Sequence, residues 1–208
     1  MQTISTNQNI TNLKISNLIP RNASAWETPE WESFLGRLQV LEIGVFGGED
    51  GDCWHTKPEF AEFIGNLPHF VMRHARNVRH LTLEASPDGL FGGASTNYCI
   101  PLPLKEDHFL FLHSLTLKNI MIGPELVEFL TSRVDSFEEL ELYDYPVTWA
   151  GLWKAIRESN IRLFKVKEFE TIEDSVEAAR IRKMLEEDTL LCRRLEANAE
   201  YKAVELAW

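Results

Sequence analysis

The chain has 208 residues and a mass of 24.0 kDa, enough for one domain with a sizeable core and an appended helix. Its 44% apolar and 25% charged content is that of an ordinary globular protein. A net charge of -11 argues against a nucleic-acid binder, which needs a basic stripe to displace counterions, and it disfavours docking on anionic lipid.

Cys53, Cys99 and Cys192 are too few and too scattered for a disulfide framework or a zinc motif. The opening MQTISTNQNITNLK has neither a positive start nor an apolar core, so it does not read as a signal peptide, and no apolar run approaches the length of a membrane span. The expected location is cytoplasmic or nuclear, with no membrane contact. The sequons at Asn9 and Asn22 are then expected to stay unmodified.

One pattern recurs along the chain: apolar, two free positions, apolar, one free position, apolar. It reads Ile10-Leu13-Ile15-Leu18, Leu38-Leu41-Ile43-Phe46, Val78-Leu81-Leu83, Leu112-Leu115-Leu117-Ile120, Phe137-Leu140-Leu142-Tyr145 and Ile161-Phe164-Val166-Phe169. Alternation about the central pair predicts short strands with one apolar and one wet face. Glu42, Thr82, Thr116, Glu141 and Lys165 lie between the two apolar residues of their strands and are expected to point away from the core. Repetition of one unit that cannot bury its apolar face alone points to a solenoid.

Helices are predicted between the strands. Thr28 is a candidate N-cap for one opened by Pro29-Glu30-Trp31-Glu32, with Trp31, Phe34, Leu35 and Leu38 at helical spacing. Thr56-Lys57-Pro58-Glu59 opens a second through Phe60, Phe63 and Ile64, which Leu67-Pro68 should break or kink before Phe70 to His74 resume. Gly123-Pro124-Glu125 starts a third, with Leu126, Val127, Phe129, Leu130 and Val134 on one side. Thr148 begins a fourth that buries Leu152, Trp153 and Ile156, and Asn160 closes it. Strands of a doubly wound parallel sheet are covered on both faces and read as continuous apolar runs, whereas these keep a polar residue at every second position. The expectation is therefore an open α/β horseshoe of parallel strands, with a wet concave face and helices on the convex side.

Two inserts, 44–55 (GVFGGEDGDCWH) and 85–107 (ASPDGLFGGASTNYCIPLPLKED), are rich in Gly, Pro and Asp and read as loops, of the kind that cluster on one rim of a solenoid. Residues 1–170 read as the solenoid. Residues 171–208, without Pro or Gly and with many charges, read as a helical cap or extension along Val176, Ala179, Met184, Leu191 and Leu195.

No catalytic constellation emerges. Gly92-Gly93-Ala94-Ser95-Thr96 lacks the GK[ST] ending of a phosphate loop, and there is no G-x-S-x-G elbow. Glu49, Asp50 and Asp52 form an acidic turn without the spacing of a calcium loop. The histidines (His55, His69, His74, His80, His108 and His113) form no i, i+4 pair and accompany no Cys-x-x-Cys. Trp26, Trp31, Trp54, Trp149 and Trp153 read as packing residues. The only nucleophile and base candidates (Ser86, Ser95, Cys99, His108) sit in no recognisable arrangement. No cofactor and no metal is expected.

The segments Leu112-His113-Ser114-Leu115-Thr116-Leu117-Lys118-Asn119-Ile120 and Phe137-Glu138-Glu139-Leu140-Glu141-Leu142 resemble leucine-rich repeats of the F-box type. With Ile122-Gly123-Pro124-Glu125-Leu126-Val127-Glu128-Phe129-Leu130 and Trp149 to Ile156, the stretch from about residue 107 to 165 is similar to the C-terminal half of fungal F-box proteins. The resemblance implies an irregular leucine-rich-repeat solenoid and a role in protein recognition. Two features depart from the family. The place of its usual Asn or Cys after the strand holds Phe46, Ser86, Ile120, Tyr145 and Phe169. No Leu-Pro-x-Glu-Leu opening of an F-box precedes Leu38, so this chain is not expected to bind the Skp adaptor.

The expected function is a non-enzymatic protein-interaction module resembling the substrate-recognition repeats of an F-box ubiquitin-ligase subunit. Its binding residues would be those flanking the strand leucines: Glu84, Thr116, Lys118, Glu139, Glu141, Tyr143, Lys165 and Lys167. Tyr143 among mixed charges has the composition of an interface anchor. The alternatives are an assembly subunit joined through the C-terminal helix, and a hydrolase on a doubly wound sheet.

Overall fold

The structure, a computed structural model, describes residues 8–47, 58–86, 91–92, 100–133, 136–143 and 150–167. The expectations for the acidic turn at 49–52, for Cys53, Trp54, His55, Ser95, Cys99, Val134, Tyr145, Thr148, Trp149 and Phe169, and for the extension 171–208 lie outside the described residues.

Six strands are laid down in chain order: β1 (Asn12–Leu18), β2 (Val40–Val45), β3 (His80–Ala85), β4 (Ser114–Lys118), β5 (Glu139–Tyr143) and β6 (Leu163–Lys167). They form one sheet of order β1-β2-β3-β4-β5-β6, every neighbouring pair parallel. The repeated pattern stays in register from β2 to β6, and β1 follows it as far as Ile15 before shifting, so that Leu18 pairs with Val45. Leu13, Leu41, Leu81, Leu115, Leu140 and Phe164 form one row, and Ile15, Ile43, Leu83, Leu117, Leu142 and Val166 the next. Leu41, Leu81, Leu115 and Leu140 are fully buried, and each contributes roughly 1.5–3 kcal/mol of apolar transfer. Because side chains alternate, the same register that buries this face leaves the intervening residues of the other face in solvent.

Helices cover the buried face, and their apolar side chains join the strand leucines in a single core. In α1 (Pro29–Leu35), Thr28 caps as expected, its Oγ1 accepting from the Trp31 N–H at 3.3 Å, and Trp31, Phe34 and Leu35 are buried. A short 3-10 turn before it, Ser24–Glu27, seats Trp26 at 5.7 Å from the Phe63 ring and 6.1 Å from that of Phe70. The second helix, α2 (Pro58–Leu67), runs into a π-helical turn, Pro68–Met72. Proline has no N–H for the preceding turn, so the helix widens at Pro68 instead of ending. In α3 (Pro124–Thr131), Leu126, Phe129 and Leu130 are buried, and Val127 packs half-buried against the core. In α4 (Ala150–Glu158), Leu152, Ala155 and Ile156 are buried, and Ser159, just beyond it, donates through its hydroxyl to the Ile156 carbonyl at 2.8 Å.

The connection between β3 and β4 departs from the expectation of a rim loop. Its described parts contain no helix, yet Phe91, Ile100, Leu102, Leu104 and Phe109 belong to the core. They supply the apolar cover that α1 to α4 supply elsewhere, and four of them were hidden by a Gly, Pro and Asp-rich composition. Gly92 holds this segment to the stack through a parallel bridge to Met121 and donates its N–H to the Ile100 carbonyl at 2.6 Å. Its φ of +94° is left-handed, and a Cβ there would lie 2.2 Å from the Met121 carbonyl oxygen. The glycine once compared with a phosphate loop is thus required by packing.

Candidate functional site

The sheet register decides which polar side chains of the open face become neighbours. One row reads Lys14, Glu42, Thr82, Thr116, Glu141, Lys165, and a second reads Gly44, Glu84, Lys118, Tyr143, Lys167. A third, at the strand starts, holds His80, Ser114, Glu139 and Leu163. All eight residues expected at a binding surface, Glu84, Thr116, Lys118, Glu139, Glu141, Tyr143, Lys165 and Lys167, therefore occupy three adjoining rows of one face. The Lys167 side chain lies outside the described atoms.

Their side chains are tied together. Glu141 accepts through Oε1 from Lys165 Nζ at 2.6 Å and through Oε2 from the Tyr143 hydroxyl at 2.9 Å. Lys118 Nζ lies 5.8 Å from the centre of the Tyr143 ring and 3.5 Å from Glu84 Oε2. A cation at this distance from an aromatic face is attracted by the ring quadrupole. The tyrosine is thus held by a charged group on two sides, its ring partly exposed. At the far side of the sheet Lys14 pairs with Glu42 at 2.7 Å, which raises the Lys14 pKa above its usual value, mainly through that hydrogen bond. Cations and carboxylates interleave across the face.

Residues at the ends of β1, β2 and β3 enclose a notch of about 430 Å³, part of it open solvent. Gly44 sits in its floor, and Lys14, Glu42, Thr82, Glu84 and Ser86 line it. Ser86 Oγ is shut off from solvent with no hydrogen-bond partner among the described residues.

A second polar assembly was not legible beforehand. Arg133, at the end of α3, is buried, and its guanidinium donates to the carbonyls of Phe109 at 2.8 Å, Glu106 at 2.7 Å and His108. Its Cζ also lies 5.4 Å from the Phe129 ring centre. The clamp fixes residues 106–109, where Phe109 takes a left-handed φ of 51°. His108 is equally buried, 3.7 Å from Asp107 through Nε2, and its Nδ1 has no partner among the described residues. Burial lowers the His108 pKa, with Lys105 and Arg133 acting the same way and Asp107 opposing. Beside the clamp, Leu104 to Asp107 and Glu125, Glu128 and Phe129 of α3 border an open acidic recess. In sequence, Arg133 reads as an ordinary basic residue at a helix C-terminus. Nothing local marks it as buried.

Among the described residues the remaining chemical candidates are not brought together. Ser86 lines the open-face notch, whereas His108 is buried beside α3. His69 stacks edge-on against Phe70, His74 lies 3.7 Å from Glu32, and His113 contacts the Ser136 carbonyl through Nδ1 at 3.1 Å. Among the described residues no three His, Cys, Asp or Glu side chains form a group that could hold a metal ion, and no helix is long and apolar enough to cross a membrane. No family model matches the chain, and no curated protein and no solved structure is significantly similar to it.

Proposed function

We propose that the chain is a non-enzymatic protein-binding module of leucine-rich-repeat type, with the open face of the sheet as its docking surface. In this reading the parallel strands are the repeats of an irregular horseshoe, the helices and the buried β3–β4 connection are its convex side, and the partner lies across β3 to β6. The role resembles that of the substrate-recognition repeats of an F-box ubiquitin-ligase subunit. Without an F-box opening, these residues are expected not to bind the Skp adaptor.

The observation that carries the reading is the cluster of Tyr143, Lys118, Glu141 and Lys165. Four side chains from three adjacent strands are pre-positioned on a surface that the described residues leave uncovered. An aromatic held in place by its neighbours loses little entropy on binding, and tyrosine is among the residues that most often dominate interface energies. Partners captured from a lysate by the whole chain are expected to be lost with the double variant Tyr143→Ala, Lys118→Glu, and retained by Lys154→Glu on the helical side. Retention of every partner by the double variant would show that the open face is not the docking surface.

A further inference from the structure

A glycine inside a strand weakens it, because it loses the most backbone entropy and packs no side chain. Such a residue is normally explained by a left-handed φ or by a close approach of backbone, as at Gly92. Gly44 is placed differently: it faces Ser16 and Asn17, the two residues over which β1 shifts register. Its φ is not in the left-handed region, and a Cβ built there would meet its nearest atoms, Asn17 N, Ile15 O and Ser16 Cα, at 3.7 Å, ordinary van der Waals distance. The surrounding backbone leaves room for a Cβ at this position. What the missing side chain creates is the notch in the open face, in the same row as Glu84, Lys118 and Tyr143.

The walls of the notch say what would fit. Glu42 and Glu84 stand on adjacent strands, two residues apart in register, and each pairs through Oε2 (with Lys14 and with Lys118). Their Oε1 atoms have no partner among the described residues. Ser86 Oγ, on the same side of β3, is also unpartnered. The two carboxylates, each with one oxygen left over from its lysine, and the Ser86 hydroxyl line the notch around a bare stretch of backbone. An anionic or apolar group would leave these oxygens unpaired. A compact ammonium could not reach all of them, whereas a planar guanidinium carries five N–H donors in a fork and is the more weakly hydrated cation.

We propose that the Gly44 notch is a subsite for an arginine side chain of the partner protein, its guanidinium lying flat over Gly44 and donating to Glu42 and Glu84. The assignment rests on the open face being the docking surface. It adds the chemistry of one contact and so restricts the partner to a segment presenting arginine beside the region that meets Tyr143.

The test uses the whole chain, isotopically labelled, titrated with the blocked tripeptide Gly-Arg-Gly and followed by amide chemical shifts. Saturable shifts are expected at Gly44, Glu84 and Ser86. The Lys counterpart of the tripeptide is expected to bind several-fold more weakly, and Gly44→Val or Glu84→Gln to weaken the Arg peptide about tenfold, as loss of one charge-assisted hydrogen bond would. A valine suits a strand, so Gly44→Val should melt no lower than the native chain, which separates filling of the notch from loss of fold. Shifts that do not saturate, that are equal for Lys and Arg, or that survive Gly44→Val overturn the proposal. If the notch fails while partner capture still depends on Tyr143 and Lys118, the docking face stands without it. If the notch binds while capture ignores those residues, the reading of the face fails instead.

Discussion

The open face and the Arg133 clamp use the same kinds of charged group under opposite physical conditions. On the open face, Lys14–Glu42, Glu84–Lys118 and Glu141–Lys165 are ion pairs whose side chains all keep part of their surface in solvent. Beneath α3, one guanidinium satisfies three carbonyls, two of them through buried bonds. Exposed pairs of this kind contribute about 0–1 kcal/mol, whereas leaving a buried polar group unmade costs about 1–3 kcal/mol for each group. The face can therefore change its charges with little effect on folding, which suits a recognition surface. The clamp cannot.

The sharpest way to break this contrast is Arg133→Ala. It orphans the carbonyls of Glu106, His108 and Phe109 and removes the support for the left-handed Phe109, so a loss of about 3 kcal/mol or more in urea unfolding is expected. A loss below 1 kcal/mol would mean that water reaches these carbonyls, and the two regions would no longer differ in kind.

The next effect is one of pH. The folded pKa of His108 lies below its ordinary 6.5, chiefly through burial, so the folded state binds a proton less readily than the unfolded chain. Above pH 6.5 both states are neutral and stability is full. As pH falls through 6.5 towards the lower folded value, the unfolded state is protonated first and stability declines, by at most about 1.4 kcal/mol per pH unit for one group. His74, lowered mainly by burial as well, adds a slope of the same sign. His108→Gln should flatten the pH dependence of urea midpoints just below pH 6.5 and leave only the remainder due to His74 and other groups. An unchanged slope would show that His108 is solvated.

The smallest effect belongs to the open face. Glu141–Lys165 is the shortest and least exposed of its pairs, with side chains 19% and 28% exposed. A double-mutant cycle with Glu141→Gln and Lys165→Met should give a coupling of about 1 kcal/mol or less that shrinks with added salt. Coupling well above that, indifferent to salt, would place the face among the structural parts of the molecule.

Much of this architecture is written in the local sequence. The spacing of Leu115 and Leu117, Leu140 and Leu142 was enough to place strands and their buried faces, because alternation of side chains is a property of any extended chain. Thr28 before Pro29 was enough to start a helix, since a cap is a bond between near neighbours. The polar position between each pair of leucines was equally plain, and so were the residues of the open face. Their partners were not. Glu141 meets Lys165, and Lys118 meets the Tyr143 ring, only through a parallel register that joins residues about two dozen positions apart. The same holds for Phe91, Ile100, Leu102 and Leu104, whose surroundings in the sequence look like a loop, and for Arg133, whose neighbours in the sequence look like a helix end. Which strands lie side by side, which apolar residues of an irregular connection find the core, and which cation is shut away from water all depend on contacts between distant segments. Such contacts leave no periodic trace, because they are chosen by how the whole core closes.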